Sequence, residues 1–231
     1  MMDGLAAFFD KSGPLGAAIV LASVVAATIV LERLWAFRKI RLRDPQFLHR
    51  LREEVARGRF AAATTIAQGE SHPLARSLAA VLGRIDDKGR SRAHLEKVLA
   101  RAASREVRSL ERFLPSLALI ANVTPLLGLM GTVTGMIKAF QAIQNLGGKV
   151  NASVLAGGIW EAMLTTAEGL AVAIPALIAH HMLQGKVHNL VADVQTEAAE
   201  LFDLLEDRGC LLPDVVRGDV THFEPECGEQ P

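Results

Sequence analysis

Four polar side chains, Glu161, Thr165, Thr166 and Glu168, interrupt Gly157–His181 (GGIWEAMLTTAEGLAVAIPALIAHH), a stretch otherwise apolar enough to cross a bilayer. A carboxylate in hydrocarbon is costly, and ionisable residues of spanning helices usually face a bundle interior or an ion path. On a helix, Glu161, Thr165 and Glu168 are spaced i, i+4, i+7 and share one face. Leu164, Leu170, Leu177 and Ile178 are left for lipid or neighbouring helices. Such a stripe of hydroxyls and carboxyls suits the movement of protons or cations. There is no Gly-x-Ser-x-Gly elbow, CxxC, HExxH or Walker lysine. No soluble-enzyme constellation is present, so neither enzymatic activity nor a cofactor or bound metal is expected.

A second apolar segment, LALIANVTPLLGLMGTVTGMIKAF (117–140), carries Thr124, Gly128 and Thr132 at i, i+4, i+8. Gly131 and Gly135 form a small-xxx-small pair beside them, and Gly169 offers a small residue on the facing segment. Small residues let helices approach closely where lipid supplies no hydrophobic drive between them. Pro125 and Pro175 free backbone carbonyls that neighbouring groups must satisfy. Thr132 stands nine residues before Gln141, and Thr166 nine residues after Gly157. At about 1.5 Å per residue, both hydroxyls sit near mid-membrane. Each either bonds its own i−4 carbonyl, as mid-helix threonines often do, or faces a shared site. Glu161, near the outer interface, either meets water or Lys138 or belongs to the path. Glu168, deeper, is protonated, paired or in a wet cavity. His180 and His181 fall at the inner interface.

Half of the 231 residues are apolar, with few aromatics and no tyrosine, and the apolar ones gather into runs. Ser12–Leu31 has 20 residues without a charge and Phe113–Ile137 has 25. With the opening stretch this makes three spans of the length hydrocarbon demands. The first eleven residues lack a basic lead and do not read as a cleaved signal peptide. Met2, Leu5, Phe8 and Phe9 can line a short interfacial helix. Arg33, Arg38, Lys39, Arg41 and Arg43 after the first span, and Arg101, Arg105, Arg108 and Arg112 before the second, mark the inner side under the positive-inside rule. Trp35 and Phe37 fit the aromatic belt. The expected fold is an all-α membrane protein with three spanning helices, N-out and C-in, whose long helices continue into a cytoplasmic helical bundle. The expected divisions are 1–13 outside, 14–37 span one, 38–112 cytoplasmic, 113–140 span two, 141–156 outer loop, 157–183 span three, 184–208 cytoplasmic helix and 209–231 disordered tail.

The net charge of zero hides an asymmetry: residues 37–112 hold 18 Lys/Arg against 9 Asp/Glu (+9), and 184–231 hold 3 against 11 (−8). No recognition motif supports nucleic acid as a partner. The basic segment is expected on the inner face near anionic lipid, with the acidic segment packed against it. Asp44-Pro45 reads as a cap and first helical position, Phe60–Gln68 and Pro73–Ile85 as short helices, Asp86–Gly89 as a turn. Ser91 opens a long helix running into span two and bending at Pro115. Cys210 and Cys227 lie in the tail, where a reducing compartment disfavours a disulfide.

The runs TPLLGLMGTVTGMIKAF and GIWEAMLTTAEGLAVAIPALIAHH resemble the MotA/TolQ/ExbB proton-channel family, most of all ExbB and then TolQ, over roughly residues 10–205. The resemblance implies an inner-membrane homo-oligomer, typically a pentamer, around an ExbD- or TolR-like single-span partner bearing an essential aspartate. Protons passing by that aspartate would drive a TonB- or TolA-like protein. Carried over by position, Thr132 and Thr166 match the threonines facing the aspartate, and Glu161 the acid at the start of span three. Glu168 and Thr165 depart from the pattern, which usually has an apolar or small residue and an alanine. A TolQ-like role in envelope integrity and a non-conducting membrane scaffold are the rival readings.

Overall fold

A computed structural model of the chain describes residues 2–40, 46–85, 91–145, 152–207, 209 and 211. Among the described residues the secondary structure is helical, without a β-strand: α1 (Met2–Lys39), α2 (Phe47–Ala56), α3 (Phe60–Gly69), α4 (Pro73–Leu82), α5 (Arg92–Glu111), α6 (Leu114–Asn145) and α7 (Ala152–Asp207). Three helical stretches, Pro14–Arg38, Arg92–Asn145 and Leu155–Asp207, are long and apolar enough to cross a membrane. The fold is all-α, with three such helices. Residues divide into two compact units, Met1–Leu34 with Phe113–Gln184, and Trp35–Arg112 with Gly185–Pro231.

The first unit contains the apolar parts of α1, α6 and α7. Gly16, Ile19, Ala26, Ile29 and Arg33 of α1 are buried at helical spacing, while Leu21 and Leu31 are exposed. The Arg33 guanidinium is gripped by the Glu32 carboxylate and sits 5.2 Å from the Phe113 ring centroid, so it is buried without being left uncompensated. The prolines Pro14, Pro125 and Pro175 lie inside helices without ending them.

Along α6 the buried residues Leu117, Ala121, Thr124, Gly128, Gly131, Gly135 and Ala139 form one stripe, met on α7 by Ala162, Thr165, Gly169 and Ala173. The two helices run antiparallel at a separation only small residues permit. A Cβ on Gly131 would fall 2.5 Å from Thr165 Cγ2, on Gly135 2.9 Å from Ala162 Cβ, and on Gly169 2.8 Å from the Thr124 carbonyl oxygen. Gly158, unremarked in the sequence, joins the same seam: its Cβ would lie 2.7 Å from Ala139 Cβ. Large apolar residues such as Leu119, Leu126, Val133, Trp160 and Met163 point away from the seam and are exposed, as lipid or a neighbouring subunit requires.

Two boundaries differ from the sequence expectation. The helix expected to run on from Ser91 and bend at Pro115 is instead interrupted at Arg112–Phe113, between α5 and α6. Pro115 instead occupies the first turn of α6, where a missing N–H breaks no helical bond. Helix also continues into the expected outer loop at both sides, to Asn145 and from Ala152. Hydropathy marks where apolar side chains stop, and the i→i−4 bonds of a helix do not depend on that limit.

The second unit builds a core from Phe47, Leu51 and Val55 of α2, Phe60, Ala63 and Ala67 of α3, Leu74, Ala75, Leu78, Val81 and Leu82 of α4, Leu95 of α5, and Val194, Ala198, Leu201, Phe202 and Leu205 of α7. The fully buried alanines let short helices pack closely. Gly58, at φ 75°, makes the left-handed turn between α2 and α3. Ser91 caps α5 by accepting from the His94 amide. The Asp44-Pro45 cap lies outside the described residues; α2 starts at Phe47 with Gln46 at its N-cap and no side-chain cap bond. The turn Asp86–Gly89, both cysteines and nearly all of 209–231 also lie outside them, as does the side-chain face expected of Met2, Leu5, Phe8 and Phe9. Basic and acidic segments meet here: Arg52 binds Glu197 and Glu200, and Arg92 binds Glu206 and, at 3.6 Å, Asp203.

Two outcomes are expected. Gly169→Ala, which must push a methyl onto the Thr124 carbonyl, should lower thermal stability of the detergent-solubilised protein by about 1–3 kcal/mol equivalent. Gly157→Ala and Gly185→Ala, with open space at the Cβ, should be neutral or stabilising by about 0.5–1 kcal/mol; equal losses at all three would refute the close-contact account. In the second unit, His72 caps α4 by accepting the Leu74 N–H on Nδ1 at 3.2 Å. Burial pushes its imidazole below the ordinary 6.5, against an opposing pull from Asp193 and Glu70. The neutral ring therefore belongs to the folded state. Its stabilising contribution is complete above about pH 6.5 and is lost as pH falls below that value, because the unfolded chain takes up the proton first. Protection of the Leu74 amide, its hydrogen exchange measured relative to the intrinsic rate at each pH, should fall on acidification in the native protein. In His72→Asn, which retains a cap without titrating there, it should not; His72→Ala should cost about 1 kcal/mol at neutral pH.

Candidate functional site

Five threonines lie on the apolar parts of α6 and α7. Four turn back on their own helices: Thr124 donates to the Ile120 carbonyl, Thr132 to that of Leu129 at 2.7 Å, Thr134 to that of Met130, and Thr165 to that of Glu161 at 2.8 Å. Thr166 does not. Its Oγ1 donates across the seam to the Gly128 carbonyl at 2.9 Å. The crossing is possible because Gly128 has no side chain: a Cβ there would stand 3.0 Å from Thr166 Cα.

The seam also sorts the polar residues by side. Taking its centre as Gly128–Gly131–Gly135 on α6 and Ala162–Thr165–Gly169 on α7, helical phase at about 100° per residue puts Pro125 and Thr132 on one flank of α6. In an antiparallel pair that flank meets the α7 flank holding Thr166. Thr132 and Thr166 therefore share one edge at one level. Both are half-buried. On the opposite edge lie Leu127, Thr134 and Lys138 of α6 with Glu161, Leu164 and Glu168 of α7. The Lys138 Nζ–Glu161 Oε1 contact at 3.3 Å fixes this assignment independently.

The candidate residues thus separate into three groups. Thr132 and Thr166 come together on one edge. Thr165 is buried in the seam, its hydroxyl spent on a local carbonyl, alongside the packing residues Thr124, Gly128, Gly131, Gly135 and Gly169. Glu161 and Glu168 stand on the other edge; Glu161 is paired with Lys138, and Glu168 is half-buried with Oε2 enclosed. Thr134, bonded to the Met130 carbonyl at 3.0 Å, and Lys138 complete that edge. The signal for Gly158 was present in the sequence: Gly158, Ala162, Thr165 and Gly169 continue one small-residue stripe. At the inner end, the His180 and His181 rings stand 5.4 Å apart, edge to face. No cluster able to hold a metal ion occurs among the described residues.

The profile of the MotA/TolQ/ExbB proton channel family matches residues 66–196, more than half of the chain and the whole of the seam. The Tol-Pal system protein TolQ of Haemophilus influenzae is 41% identical over 92 residues, 40% of this chain and 40% of that protein. The ExbB-like 3 biopolymer transport protein of Synechocystis is 28% identical over 181 residues, 78% of this chain and 84% of that protein. Its ExbB-like 1 counterpart is 31% identical over 179 residues, 76% and 68% of the two chains. The match to TolQ spans under half of that relative, whereas those to the two ExbB-like proteins span most of theirs. Profile and relatives agree with the paired small-residue helices: the chain belongs to the MotA/TolQ/ExbB proton channel family.

Proposed function

We propose that the chain is the channel subunit of an ExbB-like complex of the bacterial inner membrane, N-out and C-in, acting as a channel rather than an enzyme. On this reading a homo-oligomer, typically a pentamer, surrounds an ExbD- or TolR-like single-span partner with a membrane aspartate. Proton flow past that aspartate powers a TonB-like protein for outer-membrane transport. The observation that carries the reading is the Thr166–Gly128 bond, on the same edge and level as Thr132. Threonine hydroxyls do not titrate in the physiological range, but they accept and donate hydrogen bonds to a group that does. An edge of hydroxyls without acids is what a partner's carboxyl needs to be held at mid-span in both protonation states.

The sequence identity to a Tol-Pal system TolQ supports a second reading of the same machinery, in which the driven protein is TolA-like and the output is envelope integrity. The two share the site and differ in the protein that is driven. A non-conducting scaffold is the opposed reading.

Reconstituted in liposomes with its single-span partner, the complex should pass protons, and Thr166→Ala and Thr132→Val should each reduce the flux by about tenfold, the equivalent of roughly one hydrogen bond at the barrier. Thr134→Val, on the other edge, should leave flux within about twofold by the same scale. Unchanged flux in both Thr166→Ala and Thr132→Val, or no flux in the parent complex, would favour the scaffold.

A further inference from the structure

The ion pairs of the second unit leave charge of both signs unmatched. Residues 184–231 hold 11 Asp/Glu, of which Glu197, Glu200, Asp203 and Glu206 meet Arg52 and Arg92, while Asp214, Asp219, Glu224, Glu226 and Glu229 lie beyond Leu211. On α5, Arg101, Arg105 and Arg108 stand at i, i+4, i+7, share one face and are exposed. Among the described residues these three form no ion pair, although Arg76 reaches Glu106 on another face of the same helix. Like charges at this spacing disfavour one another, so the row is stabilised by an anion laid along it.

Beside the row runs a groove between α5 and α7. Leu99, Ala103 and Val107 of α5 and Val191 and Val194 of α7 form its apolar floor, and Ser104 and Arg108 belong to both groove and row. Glu96 at one end is held by Arg92, and Glu111 stands at the other. The groove has about 460 Å³ of space, within the range of sites that take a ligand. An apolar floor under a cationic rim fits a segment in which apolar and acidic residues are interspersed.

Residues 212–231, which lie outside the described structure, have that composition. Leu212, Val215, Val216, Val220 and Phe223 are interspersed with Asp214, Asp219 and Glu224, and the whole segment has five acids against Arg217 alone, a charge of −4. It is also within reach. Leu211 is buried in the core of this unit. From the end of α7 at Asp207 back to Gln195 beside the groove is about 18 Å of helix, and residues 212–223 extend up to roughly 40 Å. A tethered segment is present at an effective concentration that a free competitor rarely matches.

We propose that the groove between α5 and α7, with Arg101, Arg105 and Arg108 as its rim, is the docking site of this chain's own acidic segment 212–231.

The segment carries its own reporter, Cys227. In the full chain with Cys210→Ser and Ser104→Cys, a short bismaleimide should link positions 104 and 227, as read by peptide mass spectrometry. The yield should exceed that from Thr65→Cys, an exposed site on α3, by about fivefold or more. Arg101→Glu, Arg105→Glu and Arg108→Glu together should lower it about tenfold, the combined effect of three exposed ion pairs. Equal yields from the two positions, or a yield indifferent to charge reversal, overturn the proposal. A chain with Ser104→Cys and Cys227→Ser, co-expressed with one retaining Cys227 alone, should give no link; a link there assigns the groove to a second copy and overturns it as well. A further measurement needs no new cysteine. In native membrane vesicles, ending the chain at Leu211 should make Arg101, Arg105 and Arg108 react faster with phenylglyoxal. Unchanged reactivity on truncation overturns the proposal, and reactivity that rises only when phosphatidylglycerol is removed assigns the rim to anionic lipid instead.

Discussion

The absence of a side chain at Gly128 is the constraint on which the membrane unit turns. Lipid is as apolar as leucine, so nothing expels these helices from their surroundings into contact; association depends on close packing and on hydrogen bonds made across the interface. Close packing here requires a run of positions on α6 and α7 without room for a Cβ. Once backbones approach that far, the Gly128 carbonyl comes within reach of the Thr166 hydroxyl. The same residue removes the steric barrier and supplies the acceptor. A side chain at Gly128 would separate the helices and oblige Thr166 to turn back on its own helix, as Thr165 does.

That contact also determines which polar groups work together. Considered alone, α7 presents Glu161, Thr165 and Glu168 as one face. Packed against α6, the face is cut: Thr165 is consumed in the seam, the acids fall to one edge, and Thr166 with Thr132 falls to the other. The two edges differ in kind. One bears hydroxyls, which relay hydrogen bonds but need an external acid to carry a titrating proton. The other bears carboxyls, one neutralised by Lys138 at the end of the unit and one at mid-span.

The fold was largely readable from the sequence because its signals are local. Three uncharged or nearly uncharged runs, the spacing of Phe47, Leu51 and Val55, and the Pro73 and Ser91 helix starts each announce a helix without knowledge of its neighbours. The equal depth of Thr132 and Thr166 was also legible, since depth follows from counting residues at a fixed rise. Their shared edge was not, because an edge is defined by where the neighbouring helix lies. For the same reason the face shared by Glu161, Thr165 and Glu168 did not reveal that Thr165 is buried in the seam while both acids are half-buried beside it. Helix ends at Asn145 and Ala152 escaped because hydropathy reports the membrane and not the backbone hydrogen bonds.

The second unit shows a different division of labour between burial and charge. Its core is continuous across α2, α3, α4, α5 and the later part of α7, and fully buried Val55, Ala63, Ala75 and Leu205 supply the apolar contact. The ion pairs of Arg52 and Arg92 with α7 are partly solvated, and such pairs contribute little net stability. Their value lies in discrimination. The apolar stripe on α7 repeats every three or four residues, so a shift of one turn along α2 and α5 would still bury leucines and valines. Such a shift would separate Arg52 from Glu197 and Arg92 from Glu206 together, and like or unmatched charges at a contact disfavour the wrong alignment. Arg52 and Arg92 of the +9 segment thus tie α2 and α5 to one alignment of α7, whose hydrophobic pattern alone tolerates several.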